Sequence, residues 1–228
     1  MVSLTKNKII MSINKIGCVI AYRKGHTNYG TSLVGYALIK KLQTLGYDVE
    51  VINYVKQLSF VEKVKWMVNA FRCDGGKIVM DRIKGKKDLK KLPEYAANIK
   101  IRTVAVEAYK KRKFIPIFKD YYGYVALHEG SKNYDAVVVG SDQVWTPLSL
   151  PTKFFNLLFV DDKVRKVAYA SSFGVSEIPA FQHKATGSYL DRFYRIGVRE
   201  VKGKEIVDSL SHQKATVVAD PTMLLSPE

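Results

Sequence analysis

Asn133-Tyr134-Asp135-Ala136-Val137-Val138-Val139-Gly140-Ser141-Asp142-Gln143-Val144-Trp145 carries the clearest mark of the fold. Residues 136–139 form an apolar run with no polar alternation. That is the pattern of a strand covered on both faces, as in a parallel sheet. Small and polar residues, Gly140-Ser141-Asp142-Gln143, follow at once. A second run, Val167-Ala168-Tyr169-Ala170, ends the same way in Ser171-Ser172-Phe173-Gly174. In open α/β sheets ligands collect beyond the carboxyl ends of the strands. The polar groups at these two ends are therefore the first candidates for chemistry.

Working outward, residues 15–21 read as the first strand and 22–28 as a polar loop with Gly25 and His26. Leu33, Tyr36, Ala37, Leu38, Leu42 and Leu45 then recur at helical spacing, and Gly46 stands where a helix stops. Residues 49–54 make the second strand, completing a βαβ unit. Beyond Gly174 the pattern predicts a helix over 181–193, a strand over 195–198, a helix over 202–210 and a strand over 216–219. Asp220-Pro221 ends the sheet. The fold class this predicts is α/β, a Rossmann-like doubly wound parallel sheet.

The middle is different. Phe60, Val61, Val64, Met67, Val68 and Phe71 make an amphipathic helix, broken by Cys73-Asp74-Gly75-Gly76. Residues 84–92 read as a basic connector, 95–112 as either a helix or an extended strand pair, and 125–130 as a short helix. The domain organisation expected is an amino-terminal extension over 1–14 and one Rossmann-like domain over 15–228, with 56–130 as a basic helical insertion.

Of 228 residues 47% are hydrophobic, enough for a buried core. The 37 Lys and Arg outnumber the 21 Asp and Glu, for a net charge of +16. Residues 56–120 hold 18 basic and 7 acidic side chains, so +11 of that excess lies there. Such a segment either attracts anions or is a solvated face that keeps the protein dispersed. Cys18 and Cys73 are far apart and lack metal spacing, which suits a reducing compartment. No apolar run approaches the roughly 20 residues of a membrane span, and the first residues lack a signal-peptide core. A cytoplasmic location is expected.

Asn28-Tyr29-Gly30-Thr31-Ser32 opens the first helix, where free N–H groups favour an anion, unless Thr31 or Ser32 merely caps it. With only Gly25 and Gly30 in that turn, the dinucleotide fingerprint is missing and a nicotinamide or flavin is not expected. Ser141, Asp142 and Gln143 offer groups that hold vicinal hydroxyls, and Asp142 could take a proton from one. The alternative is that Asp142 caps the next turn and Trp145 fills the core. Arg199 suits a carboxylate or phosphate, or else a salt bridge to Glu200 or a nearby Asp. His26, His128, His183 and His212 have no metal-ligand spacing. Ser171 and Ser172 lack a nucleophile elbow.

Together, Asn28-Tyr29-Gly30, Gly140-Ser141-Asp142-Gln143-Val144-Trp145, Ala168-Tyr169-Ala170-Ser171-Ser172-Phe173-Gly174, Val198-Arg199-Glu200 and Asp220-Pro221-Thr222-Met223-Leu224-Leu225 resemble the polysaccharide pyruvyl transferase family. The resemblance spans most of the chain but not the basic middle. It implies half of a GT-B-like two-domain architecture, with the second domain expected to be absent from these 228 residues. It further implies transfer of the enolpyruvyl group of phosphoenolpyruvate, as donor substrate and with no cofactor, onto a sugar of a cell-surface polysaccharide or its lipid-linked precursor. Asp142 would be catalytic. Asn28, Tyr29, Gly30, Ser141, Gln143, Ser171, Ser172 and Arg199 would bind substrate. A peripheral contact with anionic membrane at the inner face of the plasma membrane is expected, and a nucleic-acid partner is not. The alternatives are a GT-B-type glycosyltransferase using a nucleotide sugar and a non-catalytic binding module for an anionic polymer.

Overall fold

The computed structural model describes residues 13–22, 28–56, 59–73, 81, 84–85, 88–89 and 91–225. Among them runs a seven-stranded sheet: β1 (Lys15–Val19), β2 (Asp48–Val55), β3 (Phe118–Tyr122), β4 (Ala136–Asp142), β5 (Arg165–Ser171), β6 (Arg195–Val198) and β7 (Ala215–Val217). The order is β3-β2-β1-β4-β5-β6-β7 and every pairing is parallel. The chain winds outward from β1 to β3, returns to lay β4 beside β1, and winds outward again to β7. The reversal of direction between β1 and β4 is the topological switch point, where such sheets leave a crevice at their carboxyl edge.

The helices are α1 (Tyr29–Thr44), α2 (Phe60–Arg72), α3 (Tyr95–Lys113), α4 (Gly123–Ser131), α5 (His183–Leu190) and α6 (Val201–Leu210). Side chains of β4 alternate between the two faces of the sheet. Val138 joins Ile16, Cys18, Leu38, Ile39 and Phe114 under α1 and α3, while Val137 and Val139 join Leu127, Trp145, Phe159, Leu190 and Ile206 under α4, α5 and α6. Each fully buried Val or Leu contributes about 1.5–3 kcal/mol, so an apolar strand in the middle of the order is what this burial requires. Cys18 lies wholly inside, and burial pushes its thiol up to about 12, which keeps it protonated and unreactive.

α1 starts where Asn28 Oδ1 accepts from the Gly30 N–H at 3.0 Å, so Asn28 is the cap, not Thr31 or Ser32. It stops at Gly46, whose φ of +90° suits glycine. The βαβ unit, the carboxyl-terminal alternation of strands and helices, and the core strands lie where the pattern put them, with ends shifted by one or two residues. The helix expected over 181–193 is shorter, covering α5 and a preceding 3-10 turn, Ala180–Gln182. The strand-pair alternative for 95–112 is excluded, because α3 is one helix.

The larger correction concerns residues 56–130. They are not wholly helical, since they carry β3, the sheet's outermost strand on that side, paired along its length with β2. Phe-Lys-Asp-Tyr-Tyr buries only Tyr121, so it lacks the apolar run that marks an inner strand. Expectations resting on Gly25, His26, Asp74, Gly75 and Gly76, on residues 1–12 of the extension and on 86, 87 and 90 of the connector fall outside the described residues.

Candidate functional site

β4 and β5 deliver the two polar sequences to the same edge and lock them together. Ser141 Oγ donates to the Ala170 carbonyl at 3.0 Å, and Ser171 Oγ donates to the Val139 carbonyl at 3.3 Å. The Ser172 N–H reaches the Asp142 carbonyl at 3.1 Å, and the Trp145 N–H reaches the Ser172 carbonyl at 3.1 Å. Ser172 Oγ accepts from the Gly174 N–H at 3.1 Å. All three serines are buried. Their hydroxyls hold the loop pair in shape and face away from solvent. Gly140 is required there: at φ +155°, a Cβ would lie 1.9 Å from the Tyr169 carbonyl oxygen.

The result of this lock is the posture of Asp142. Its φ is +105°, a region that a residue with a Cβ rarely adopts. Oδ1 accepts from the Gln143 N–H at 2.8 Å, and Oδ2 accepts from Thr31 Oγ1 at 2.8 Å. Thr31 belongs to the first turn of α1, so this bond crosses the switch point. A carboxylate has about four acceptor positions, so the two bonds aim the group without filling it. Gln143 is exposed beside it, with its side chain against Gly174.

On the other side of the crevice Tyr29 is 62% exposed. The Arg102 guanidinium, from α3, sits 5.3 Å from the centre of its ring. This places a cation beside the amino-terminal end of α1, whose N–H groups already favour negative charge. Sequence spacing could not reveal Arg102, because 73 positions of chain separate it from Tyr29 and the helix that carries it has no motif. Thr31 was visible only as a capping residue.

Arg199 follows β6, and its N–H donates to the Ser171 carbonyl at 3.3 Å. Its side chain is turned to carboxylates: Nε donates to Glu200 at 3.0 Å and Nη1 to Asp220 at 3.3 Å. Burial lowers the Arg199 pKa, but the hydrogen bonds to Glu200 and Asp220 outweigh it and hold the group above its ordinary value. Asp220 also accepts from the Thr222 N–H and hydroxyl, and opens the 3-10 turn Pro221–Leu224 that packs against α1. The backbone of Arg199 thereby ties the end of β6 to the Ser171 loop, and the Asp220-Pro221 turn joins the same edge to α1.

Trp145 is 3% exposed, and its indole N–H donates to the Phe155 carbonyl at 3.0 Å. It packs among Phe173, Tyr189 and Phe193, so it is a core residue. His128 and His183 bond backbone carbonyls, and His212 pairs with Asp191. Among the described residues no group of three His, Cys, Asp or Glu side chains is close enough to hold a metal ion. No helix among them is long and apolar enough to cross a membrane.

A parallel α/β domain with aimed polar loops at its switch point is the framework of an enzyme that takes its ligand at the carboxyl edge of the sheet. Comparison with known families makes this specific. The chain belongs to the polysaccharide pyruvyl transferase family, whose model matches residues 28–228, and is thus a member of a transferase enzyme family. No curated protein and no solved structure matched it.

Proposed function

We propose that the protein transfers the enolpyruvyl carbon of phosphoenolpyruvate onto two hydroxyls of a sugar in a cell-surface polysaccharide or its lipid-linked precursor. The reaction forms two C–O bonds at the enol carbon and breaks its bond to phosphate. The two hydroxyls lose their protons. One proton ends on the enol methylene, which becomes a methyl group, and the other leaves with phosphate or solvent. The chemistry needs a base for the hydroxyls and positive charge facing the departing phosphate.

Asp142 is the base in this reading. The observation that carries it is the strained, doubly oriented carboxylate at the switch point, held by Thr31 and by its own loop. Gln143, exposed beside it, would hold the neighbouring hydroxyl. Gly30 and the first turn of α1, with Arg102 above Tyr29, would receive the donor's phosphate or carboxylate. Ser141, Ser171 and Ser172 act as positioning residues. Arg199 keeps Nη2 for an anion, with Nε and Nη1 engaged by Glu200 and Asp220. An acceptor built on a lipid carrier would bring the protein to the cytoplasmic face of an anionic membrane.

The test is phosphate release from phosphoenolpyruvate in the presence of membrane and cell-wall glycan fractions, with the glycan analysed by mass spectrometry. Release coupled to a pyruvate ketal on the glycan, and lost in Asp142→Asn, is the expected result. Transfer of a sugar from a nucleotide sugar, with no ketal formed, would overturn it.

A further inference from the structure

α2 is an amphipathic helix turned the wrong way round for a globular domain. Its contacts with the rest of the protein come from one side. Asn69 Nδ2 donates to the Pro147 carbonyl at 3.1 Å, Gln182 Nε2 donates to Asn69 Oδ1 at 2.7 Å, and Gln182 also reaches Cys73 Sγ. Phe60, Val64, Met67, Val68 and Phe71 recur at i, i+4, i+7, i+8 and i+11, on the opposite side of a helix with 3.6 residues per turn. No α2 residue is buried, and Phe60 and Phe71 are 80% and 84% exposed.

The charges on α2 follow the same division. Lys63 borders the apolar row on one side and Lys65 on the other, while Arg72 lays its guanidinium over the Phe181 ring at 3.9 Å. The one acidic residue, Glu62, lies toward the body and is engaged in a capping box with Ser59. A bulky apolar row with basic residues along both borders is the design of a helix that lies in a membrane interface. Its rings enter the headgroup boundary while the lysine stems extend their charges to the surface. The segment around α2 also holds most of the chain's positive excess, complementary to anionic lipid.

We propose that α2 is a membrane-docking element that seats the protein on an anionic bilayer through Phe60, Met67 and Phe71. α2 packs on the 3-10 turn Pro147–Thr152, which follows directly after the Asp142 loop. Docking through α2 therefore holds at the lipid surface a helix that packs directly on the segment following the Asp142 loop. The docking stands on its own; only its purpose, presenting the site to a lipid-linked acceptor, rests on the transfer reading above.

The test is co-sedimentation with vesicles of phosphatidylcholine alone and of phosphatidylcholine mixed with phosphatidylglycerol. The protein should pellet only with the mixed vesicles, less as salt rises. Phe60→Ser/Phe71→Ser should lower the bound fraction about tenfold or more, since both rings lose their apolar burial. Lys63→Gln/Lys65→Gln should lower it several-fold. Val125→Ser, at an exposed apolar position on α4, should leave it unchanged. The Phe positions are solvent-exposed, so circular dichroism and affinity for phosphoenolpyruvate should be those of the parent. Failure of the parent protein to bind anionic vesicles, or equal binding by the Phe variant, overturns the proposal. So does a dimer that the Phe variant splits without any vesicle binding, because the face would then belong to a second copy.

Discussion

Thr31 Oγ1 donates a 2.8 Å hydrogen bond to Asp142 Oδ2, tying the first turn of α1 to the loop that ends β4 across the switch point of the sheet. The two residues are far apart in sequence and belong to different motifs. The bond makes one site of them, and it fixes the direction in which the Asp142 carboxylate points.

Thr31→Val keeps the shape of the side chain and removes the donor. The bond is partly exposed, so the expected stability loss is about 1 kcal/mol. Turnover should fall roughly tenfold, because the carboxylate loses its aim while keeping its charge. Asp142→Asn should leave the melting temperature near that of the parent and lower turnover by about 10²–10⁴. A Thr31→Val variant with unchanged turnover would show that this bond plays no part in positioning the base.

The interlock of the two loops makes its own prediction. Ser171→Ala removes a buried hydroxyl from the Val139 carbonyl, and Ser141→Ala removes one from the Ala170 carbonyl; each should cost about 1–2 kcal/mol in urea unfolding. The pair share one loop contact, so the double variant should not be additive. Gly140→Ala should be far worse, costing about 3 kcal/mol or more, since a Cβ meets a backbone carbonyl and the φ is unfavourable.

The central sheet was legible in the sequence because its inner strands are buried on both faces, and apolar runs such as 136–139 are the direct imprint of that burial. β3 was not, because an outermost strand that buries one Tyr can hold Lys119 and Asp120 at no cost. The two polar sequences were legible as site candidates, but not the division of labour within them. Whether a serine faces a ligand or a neighbouring carbonyl depends on the backbone path, and here Gly140 and Asp142 both take positive φ. Arg102 and the outward face of α2 needed the tertiary arrangement, since helical periodicity reports that a face is apolar and says nothing about where it points.

Trp145 carries no ligand contact in this account. Trp145→Phe leaves a cavity and an unpaired Phe155 carbonyl, and should cost about 2–4 kcal/mol. Affinity for phosphoenolpyruvate measured below the lowered melting temperature should not change. A selective loss of acceptor-sugar affinity would place the indole in the site after all.

Acid stability follows from carboxylates such as Asp135 and Asp220. Asp135 lies below the ordinary carboxylate range because the Lys15 and Asn14 N–H groups donate to it. At Asp220 burial alone would raise the pKa, but the bonds from Thr222 and Arg199 outweigh it and lower it. Folded values below unfolded ones mean that the unfolded chain takes up more protons as pH falls. The stabilisation is therefore complete above about pH 4 to 5 and is lost as pH drops through the folded values. The urea midpoint should be flat down to about pH 5 and fall steeply below about pH 4, and Asp135→Asn should flatten that fall. A midpoint that fell equally in parent and variant would remove Asp135 from the account.

In the proposed reaction the donor's anionic groups bind at the carboxyl edge of this sheet, beside Asp142. Calorimetric titration of phosphoenolpyruvate into the protein, and into Arg102→Ala and Arg199→Ala, tests it most directly. The parent protein should show one site, with an affinity about tenfold or more weaker in Arg102→Ala and a smaller loss in Arg199→Ala, whose guanidinium is already shared by two carboxylates. No heat with phosphoenolpyruvate but saturable binding of a nucleoside diphosphate, or equal affinity in all three proteins, would contradict it.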